Sequence, residues 1–255
     1  MRFSSLGSGS EGNALLVEAG KTLVMMDCGL GLQDTVFRMQ RLGVSPGQLS
    51  GVVVTHEHGD HISGVERLAR KFGLPVWLTH GTLRSQSKAF TDTGHLYEID
   101  PHRAFAIVDV EITPYSVPHD AAEPVQYVFG DGARRLGVLT DAGRATAHIE
   151  RILSGCDALV LECNHDSNML MNGDYPYFLK QRVGGRLGHL NNHEAASLLG
   201  RLEAGRLQHL IAAHLSRKNN TVELAVQALS GALNCAADWV GVATQEEGFA
   251  WREIA

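Results

Sequence analysis

The chain has 255 residues, enough for one large α/β domain or two small ones with a sizeable core. With 44% hydrophobic and 20% charged residues its composition is that of an ordinary globular protein. The net charge of −6 argues against a uniformly basic nucleic-acid coat, so a polyanion would have to be held by metal ions and a local basic patch.

From the N-terminus, the opening residues lack the apolar stretch of a secretory signal. Gly7, Gly9 and Gly12 match G-x-G-x-x-G, but a strand rather than a helix follows, so no helix N-terminus would receive a pyrophosphate and no dinucleotide cofactor is expected. The segment reads as a β-turn, with a loop overlooking an active site as the alternative. The apolar runs 14–18 and 22–27 flank a turn and predict an antiparallel meander. Leu32, Val36, Met39 and Leu42 repeat at helical spacing, 52–55 predicts a strand, Val65, Leu68, Ala69 and Phe72 a helix, and 76–79 another strand. Strands follow near 135–140, 158–162 and 208–213, and helices near 145–153, 193–202 and 222–233. The longest uncharged helical stretch, 224–237, is too short and too polar to span a bilayer. Cys28, Cys156, Cys163 and Cys235 form no Cys-x-x-Cys pair and sit in apolar segments, as reduced thiols of a cytoplasmic protein do. With no linker, charge run or low-complexity segment, one α/β domain over 1–255 is the simplest organisation.

His56, His58, Asp60 and His61 crowd four potential metal ligands into six residues directly after the strand at 52–55. The spacing differs from the zincin His-Glu-x-x-His pattern, because Asp60 stands where the second histidine would be. His56 and His58 can share one ion, whereas the side chains of adjacent Asp60 and His61 diverge toward a second. Two ions need further ligands, and strand ends supply three candidates: His119 after the run 112–118, Asp141 after 135–140 and His214 after 209–213. His56, His58 and His119 would then hold one ion, Asp60, His61 and His214 the other, and Asp141 would bridge them. A metal pair about 3.5–4 Å apart lowers the pKa of a shared water to near 7 and yields hydroxide at neutral pH. Asp60 beside that water could accept its proton. The ligand types suit zinc and manganese alike.

This ligand set resembles that of the metallo-β-lactamase fold superfamily, over essentially the whole chain. The resemblance implies a four-layer αβ/βα sandwich with a dinuclear site at one edge of two facing sheets. Asp141 stands where the antibiotic-degrading subclass with a cysteine ligand has Cys, so β-lactamase activity is not expected. The stretches 7–13, 118–120, 161–166, 188–192 and 214–220 narrow the resemblance to the YycJ (also WalJ) family of bacterial nucleases, related to ribonuclease Z. It implies 5′ to 3′ exonuclease activity on DNA, a role in mismatch repair, and a nucleic-acid substrate that is DNA rather than RNA. Gly188 and His189 resemble the ribonuclease Z Gly-His-Ser-Thr motif, whose histidine supports the scissile phosphate, and His165 with Asp166 is assigned to orient His189. The alternative for His165 and Asp166 is a polar cap on a helix starting near Ser167. Lys180, Arg182, Arg186, Arg217 and Lys218 are candidates to grip phosphates, with a solvated helix face as the alternative for the first three.

The spans 119–141 and 141–214 are too short for the tRNA-grasping arm of typical ribonuclease Z enzymes and for the inserted domain of β-CASP nucleases. The competing readings are a small-molecule hydrolase of the same fold, such as a glyoxalase II-like thioesterase or a lactonase, a ribonuclease Z-like RNA-processing enzyme, and a non-catalytic binding module. The sequence is silent on oligomeric state, and a homo-oligomer is compatible with it.

Overall fold

The structure, a computed structural model, describes residues 1–86, 90 and 94–255. Two seven-stranded sheets form it. The first is built from β1 (Arg2–Gly7), β2 (Ala14–Ala19), β3 (Thr22–Met26), β4 (Leu49–Val53), β5 (Val76–Thr79), β6 (Leu96–Ile99) and the last strand of the chain, β14 (Phe249–Glu253), in the order β14-β1-β2-β3-β4-β5-β6. The second takes β7 (Phe105–Ile107), β8 (Val110–Ser116), β9 (Val125–Gly130), β10 (Arg135–Leu139), β11 (Ala158–Glu162), β12 (His209–Ala213) and β13 (Val240–Val242), in the order β13-β12-β11-β10-β9-β8-β7. Each sheet is antiparallel where hairpins join neighbours and parallel from β3 to β6 and from β10 to β13, where helices make the crossovers.

Alternation along these strands separates three cores. On β10, β11 and β12, Leu136, Val138, Val160 and Ile211 face the first sheet and meet Phe3, Val17, Val24, Met26 and Val53 across the gap between sheets. The intervening Leu139, Leu159, Leu161 and Leu210 face outward under α5 (Ala147–Leu153), α8 (Asn192–Leu199) and α9 (Val222–Leu233). On the first sheet, Leu16, Met25, Val52 and Val54 face outward under α1 (Leu32–Arg41) and α3 (Val65–Phe72). A strand buried on both faces needs a near-continuous apolar run, which is why these segments were readable as strands without strict alternation. Helix, sheet, sheet, helix is the four-layer αβ/βα sandwich expected. The shorter helices α2 (Gly59–Ile62), α4 (His80–Ser85), α6 (Ser167–Asn172) and α7 (Tyr177–Val183) lie in the connections. No helix among the described residues is long and apolar enough to cross a membrane.

β3 and β10 end one residue short of the predicted runs and β12 ends where predicted, and all three close in the same way. Asp27, Asp141 and His214 adopt left-handed backbone conformations, at φ 59°, 52° and 56°, which carry the chain out of β3, β10 and β12. Such conformations cost about 1–3 kcal/mol each and persist where surrounding structure demands them. All three residues turn toward one edge of the sandwich. The opening segment, left unassigned from sequence, is β1; its buried Ser4 and Ser5 are accommodated because Ser4 Oγ donates to the Phe249 carbonyl and Ser5 Oγ to those of Gly7 and Ala14.

Candidate metal centre

Strand ends assemble the site. β4 runs into Thr55 and His56; α2, opened by Gly59, carries Asp60 and His61; the chain after β8 delivers His119; β10 leads to Asp141 and β12 to His214. The structure brings all seven predicted ligands together. Ligand atoms of His56, His58 and His119 lie within 4.8 Å of one another, as do those of Asp60, His61 and His214, and those of His56, His61 and Asp141. Gly59 starts the helical turn that carries Asp60 and His61.

The histidines are held by their outer nitrogens. His61 Nδ1 donates to Asp27 Oδ2 at 2.8 Å and His119 Nδ1 to the Gly188 carbonyl at 3.0 Å. Thr55 Oγ1 donates to Asp27 Oδ2 and so accepts from His56 Nδ1 at 2.9 Å. In each case Nε2 is left facing the cluster, which is how second partners fix the tautomer of a metal-binding imidazole. His58 is reversed: its Nδ1 faces inward, 3.0 Å from His56 Nε2 and 3.2 Å from His119 Nε2, with its Nε2 3.8 Å from Asp120. His61 Nε2 lies 3.1 Å from Asp141 Oδ2 and 3.4 Å from Asp60 Oδ2, and His214 Nε2 lies 3.5 Å from each of those carboxylates. Asn13, from the glycine-rich loop, donates its N–H to the Asp60 carbonyl and its amide to Asp60 Oδ2, so that loop does border the site.

The two trios differ in charge. Burial, with the nearby charge of His61, pushes His56 well below the usual imidazole range, and burial also lowers His119. Burial would lower His214 too, but the charge of Asp141 and the neighbouring carboxylates of Asp60 and Glu162 raise it to about 10. His61 likewise loses to burial and is lifted well above its usual value by the charges of Asp141 and Asp27. Burial opposes the charge on Asp60, yet the adjacent rings of His214 and His61 hold its carboxyl well below the usual carboxylate range.

Divalent ions fit this donor set. Asp141 Oδ2 and His214 Nε2 are both buried without a hydrogen-bond partner, and both point into the cluster. Buried orphans of this kind are costly unless something pairs with them. Imidazole and carboxylate are the ligands transition ions take.

His189 joins the cluster from the loop after α7. Its ring stacks on His214 at a centroid distance of 5.3 Å. Two glycines allow this approach: a side chain at Gly188 would strike the Arg182 and Val183 carbonyls, and one at Gly143 would strike the backbone of Arg186 and Leu187. Glu162, and neither His165 nor Asp166, is the group that meets His189 Nδ1. His189 Nδ1 lies 2.8 Å from Glu162 Oε1, and Glu162, fully buried, also accepts from the N–H groups of Asp141, Ala142 and Leu190. Burial opposes the charge on Glu162, but the charge and hydrogen bond of His189 hold its carboxyl at about 2. His189 is accordingly raised above its usual value against the pull of burial. Asp166 instead caps α6, its Oδ1 accepting from Asn168 and Met169 N–H at 2.9 Å each. His165, at 3.3 Å from Asn164 Oδ1, meets the cluster through Asn164, whose amide donates to the His214 carbonyl.

Sequence reasoning missed Asp27 and Glu162. Both close predicted strands, the signal that identified Asp141. The centre opens into a cleft of about 320 Å³ whose lining includes Asp60, Asp141, His189, Tyr175, Leu179, Arg182 and Ser216. Of the predicted basic residues, Arg182 reaches this cleft and donates to Asp120 at 2.7 Å. Arg217 is taken up by Glu11 and Glu246, which leaves it poorly suited to phosphate. His80, His148 and His209 bond to exposed neighbours away from the centre.

Residues 22–211 match the β-lactamase superfamily domain. The chain is 35% identical over 237 residues to the exodeoxyribonuclease YycJ of Bacillus anthracis, covering 91% of this chain and 89% of that protein. It is 32% identical over 247 residues to the exodeoxyribonuclease WalJ of Streptococcus pneumoniae serotype 2 (strain D39), covering 94% and 91%. Among solved structures, the metallo-β-lactamase fold protein YhfI of Bacillus subtilis superposes with a TM-score of 0.76 over 99% of each chain at 18% identity, a likeness of fold alone.

Proposed function

The chain belongs to the β-lactamase superfamily, in the YycJ/WalJ family, and from that premise we propose that this metal-dependent hydrolase is a dinuclear phosphodiesterase that degrades DNA from the 5′ end. The observation that carries the reading is the junction of two devices in one cleft: a cluster of seven histidine and aspartate side chains with two unpartnered polar atoms, and a His189 whose Nδ1 is held by Glu162 at its side.

His56, His58 and His119 would hold one ion, Asp60, His61 and His214 the other, with Asp141 between them. When bound, two divalent ions, zinc or manganese, supply Lewis acidity that activates water near neutral pH and offsets charge building on a phosphate. Asp60, kept ionised by its histidine neighbours, accepts the proton lost by the attacking water. His189 donates its Nε2–H to the charged phosphate and then to the leaving oxygen, while Glu162 holds Nδ1 and keeps the ring protonated. His165 acts at one remove, by fixing Asn164 behind His214. We also read 1–255 as one domain and the protein as cytoplasmic, which suits four free cysteines, three of them buried.

The test is digestion of 5′- and 3′-labelled DNA and RNA by protein loaded with Mn²⁺ or Zn²⁺. Mononucleotides released from the 5′ label of DNA are expected. No cleavage of either nucleic acid with any metal, alongside turnover of S-lactoylglutathione or a lactone, would overturn the reading.

A further inference from the structure

One wall of the cleft is made by two chain segments that run together. Ser8 Oγ accepts the N–H of His214 at 2.9 Å, and a Cβ on Gly9 would stand 3.5 Å from the Leu215 carbonyl. The next residue of each segment, Ser10 and Ser216, lines the cleft together with Asp60 and His214. Ser10 is exposed at the tip of the glycine-rich loop, and Ser216 is half-buried.

Ser216 is held as a donor. Its Oγ accepts from the N–H of Asn219 at 3.2 Å and from the Asn219 amide at 3.4 Å, which fills the two acceptor positions of a hydroxyl. Among the described residues no acceptor takes its proton. Asn219 is fixed in turn: it is 1% exposed, its carbonyl accepts the Asp166 N–H at 2.8 Å, and its side-chain oxygen lies against Gly173, where a Cβ would stand 3.0 Å away. The Ser216 N–H donates to the Asn164 carbonyl at 2.8 Å, so the serine is held at its backbone as well as its side chain. What it has left to offer is one O–H.

The charge of the cleft says what such a donor meets. Asp60, Asp120 and Asp141 line it, and the one arginine among its lining residues, Arg182, already donates to Asp120 at 2.7 Å. A phosphate drawn to bound ions keeps non-bridging oxygens that accept hydrogen bonds and donate none. Hydrogen bonds to such charged acceptors are the stronger kind, and two neighbouring hydroxyls match two oxygens of one phosphate.

We propose that Ser216 and Ser10 form a phosphate-oxygen subsite of the reaction cleft, their hydroxyls donating to non-bridging oxygens of the phosphate presented to the metal centre. This rests on the phosphodiesterase reading and names side chains that orient its substrate. Asn219 keeps the Ser216 proton free for that contact.

The test measures binding of thymidine 5′-monophosphate, with thymidine as the phosphate-free control, to the full chain loaded with Mn²⁺, by calorimetry. Ser216→Ala should weaken binding of the monophosphate about tenfold, the contribution of one hydrogen bond to a charged group. Ser216→Thr, which keeps the hydroxyl, should stay within about threefold of wild type, and Ser10→Ala/Ser216→Ala should lose more than Ser216→Ala alone. Unchanged affinity in both alanine variants would overturn the subsite, as would an equal loss in Ser216→Thr. So would a fall in bound metal in Ser216→Ala, read by elemental analysis, which would assign the serine to holding the segment after β12. Cleavage of labelled DNA by metal-loaded wild type, scored separately, tells failure of the subsite from failure of the phosphodiesterase reading.

Discussion

Glu162 Oε1 sits 2.8 Å from His189 Nδ1, and the same carboxylate accepts the backbone N–H of Asp141 and Leu190. One buried group therefore sets the position of Asp141, the loop behind it and the ring of His189. The cluster and His189 are built as a unit, and that makes their proposed contributions separately testable.

His189→Ala should leave two ions per chain, measured by elemental analysis, while lowering kcat on DNA by about a hundredfold, the usual contribution of a positioned proton donor. Glu162→Gln should lower kcat similarly and also destabilise the fold by about 2 kcal/mol, because an amide N–H₂ would then face donors in a buried site. An ion lost from His189→Ala would make that residue a ligand instead.

Asp27 fixes His61 through Nδ1 and ties Thr55 at both its N–H and its hydroxyl. Asp27→Asn should weaken metal binding by about 10- to 100-fold, the usual cost of losing an outer partner of a metal-binding histidine. Titration of chelated protein with Zn²⁺ would read this directly, and an unchanged affinity would show that packing alone orients His61.

The ease with which residues could be read from sequence follows the range of the forces that place them. His56, His58, Asp60 and His61 were legible because the ligands are neighbours in the chain, and no core or cap requirement produces such a cluster. His119, Asp141 and His214 were found by asking which polar residues end buried strands. Asp27 and Glu162 end strands as well, but a lone buried carboxylate shows its purpose only once its donors arrive, and those come from 20 and more residues away. For Glu162 the signal was in view, since it lies in the stretch that drew His165 and Asp166 into the reading. β1 and β14 were missed for a related reason: each is completed by pairing with the far end of the chain.

Asp166 offers a direct comparison between local and catalytic roles. If it acts as the cap on α6, Asp166→Ala should cost about 1 kcal/mol of stability in urea unfolding and leave kcat/KM within twofold. A large fall in kcat with unchanged stability would restore the relay assigned from sequence.

The charge difference between the trios predicts two unequal metal affinities with different pH dependence. Burial favours the neutral rings of His56 and His119, so an ion held there with His58 would enter with little proton displacement from those two rings. The second ion must displace a proton from His214, raised to about 10, and another from His61, raised well above its usual value. Below pH 10 the affinity of the second ion should therefore climb by up to about tenfold per pH unit for each proton released, while the first stays nearly flat above the ordinary imidazole range. The sign for stability is opposite. A histidine raised on folding stabilises fully below its unfolded pKa, near 6.5, and that stabilisation is lost as pH rises through the folded value, about 10 for His214. Metal-free protein should thus lose thermal stability between pH 6.5 and 10 while the metal-loaded form gains relative to it. Calorimetric titrations with Zn²⁺ in buffers of different ionisation enthalpy count the released protons. Two ions with identical, parallel pH profiles would show that the trios share their protons instead of dividing them.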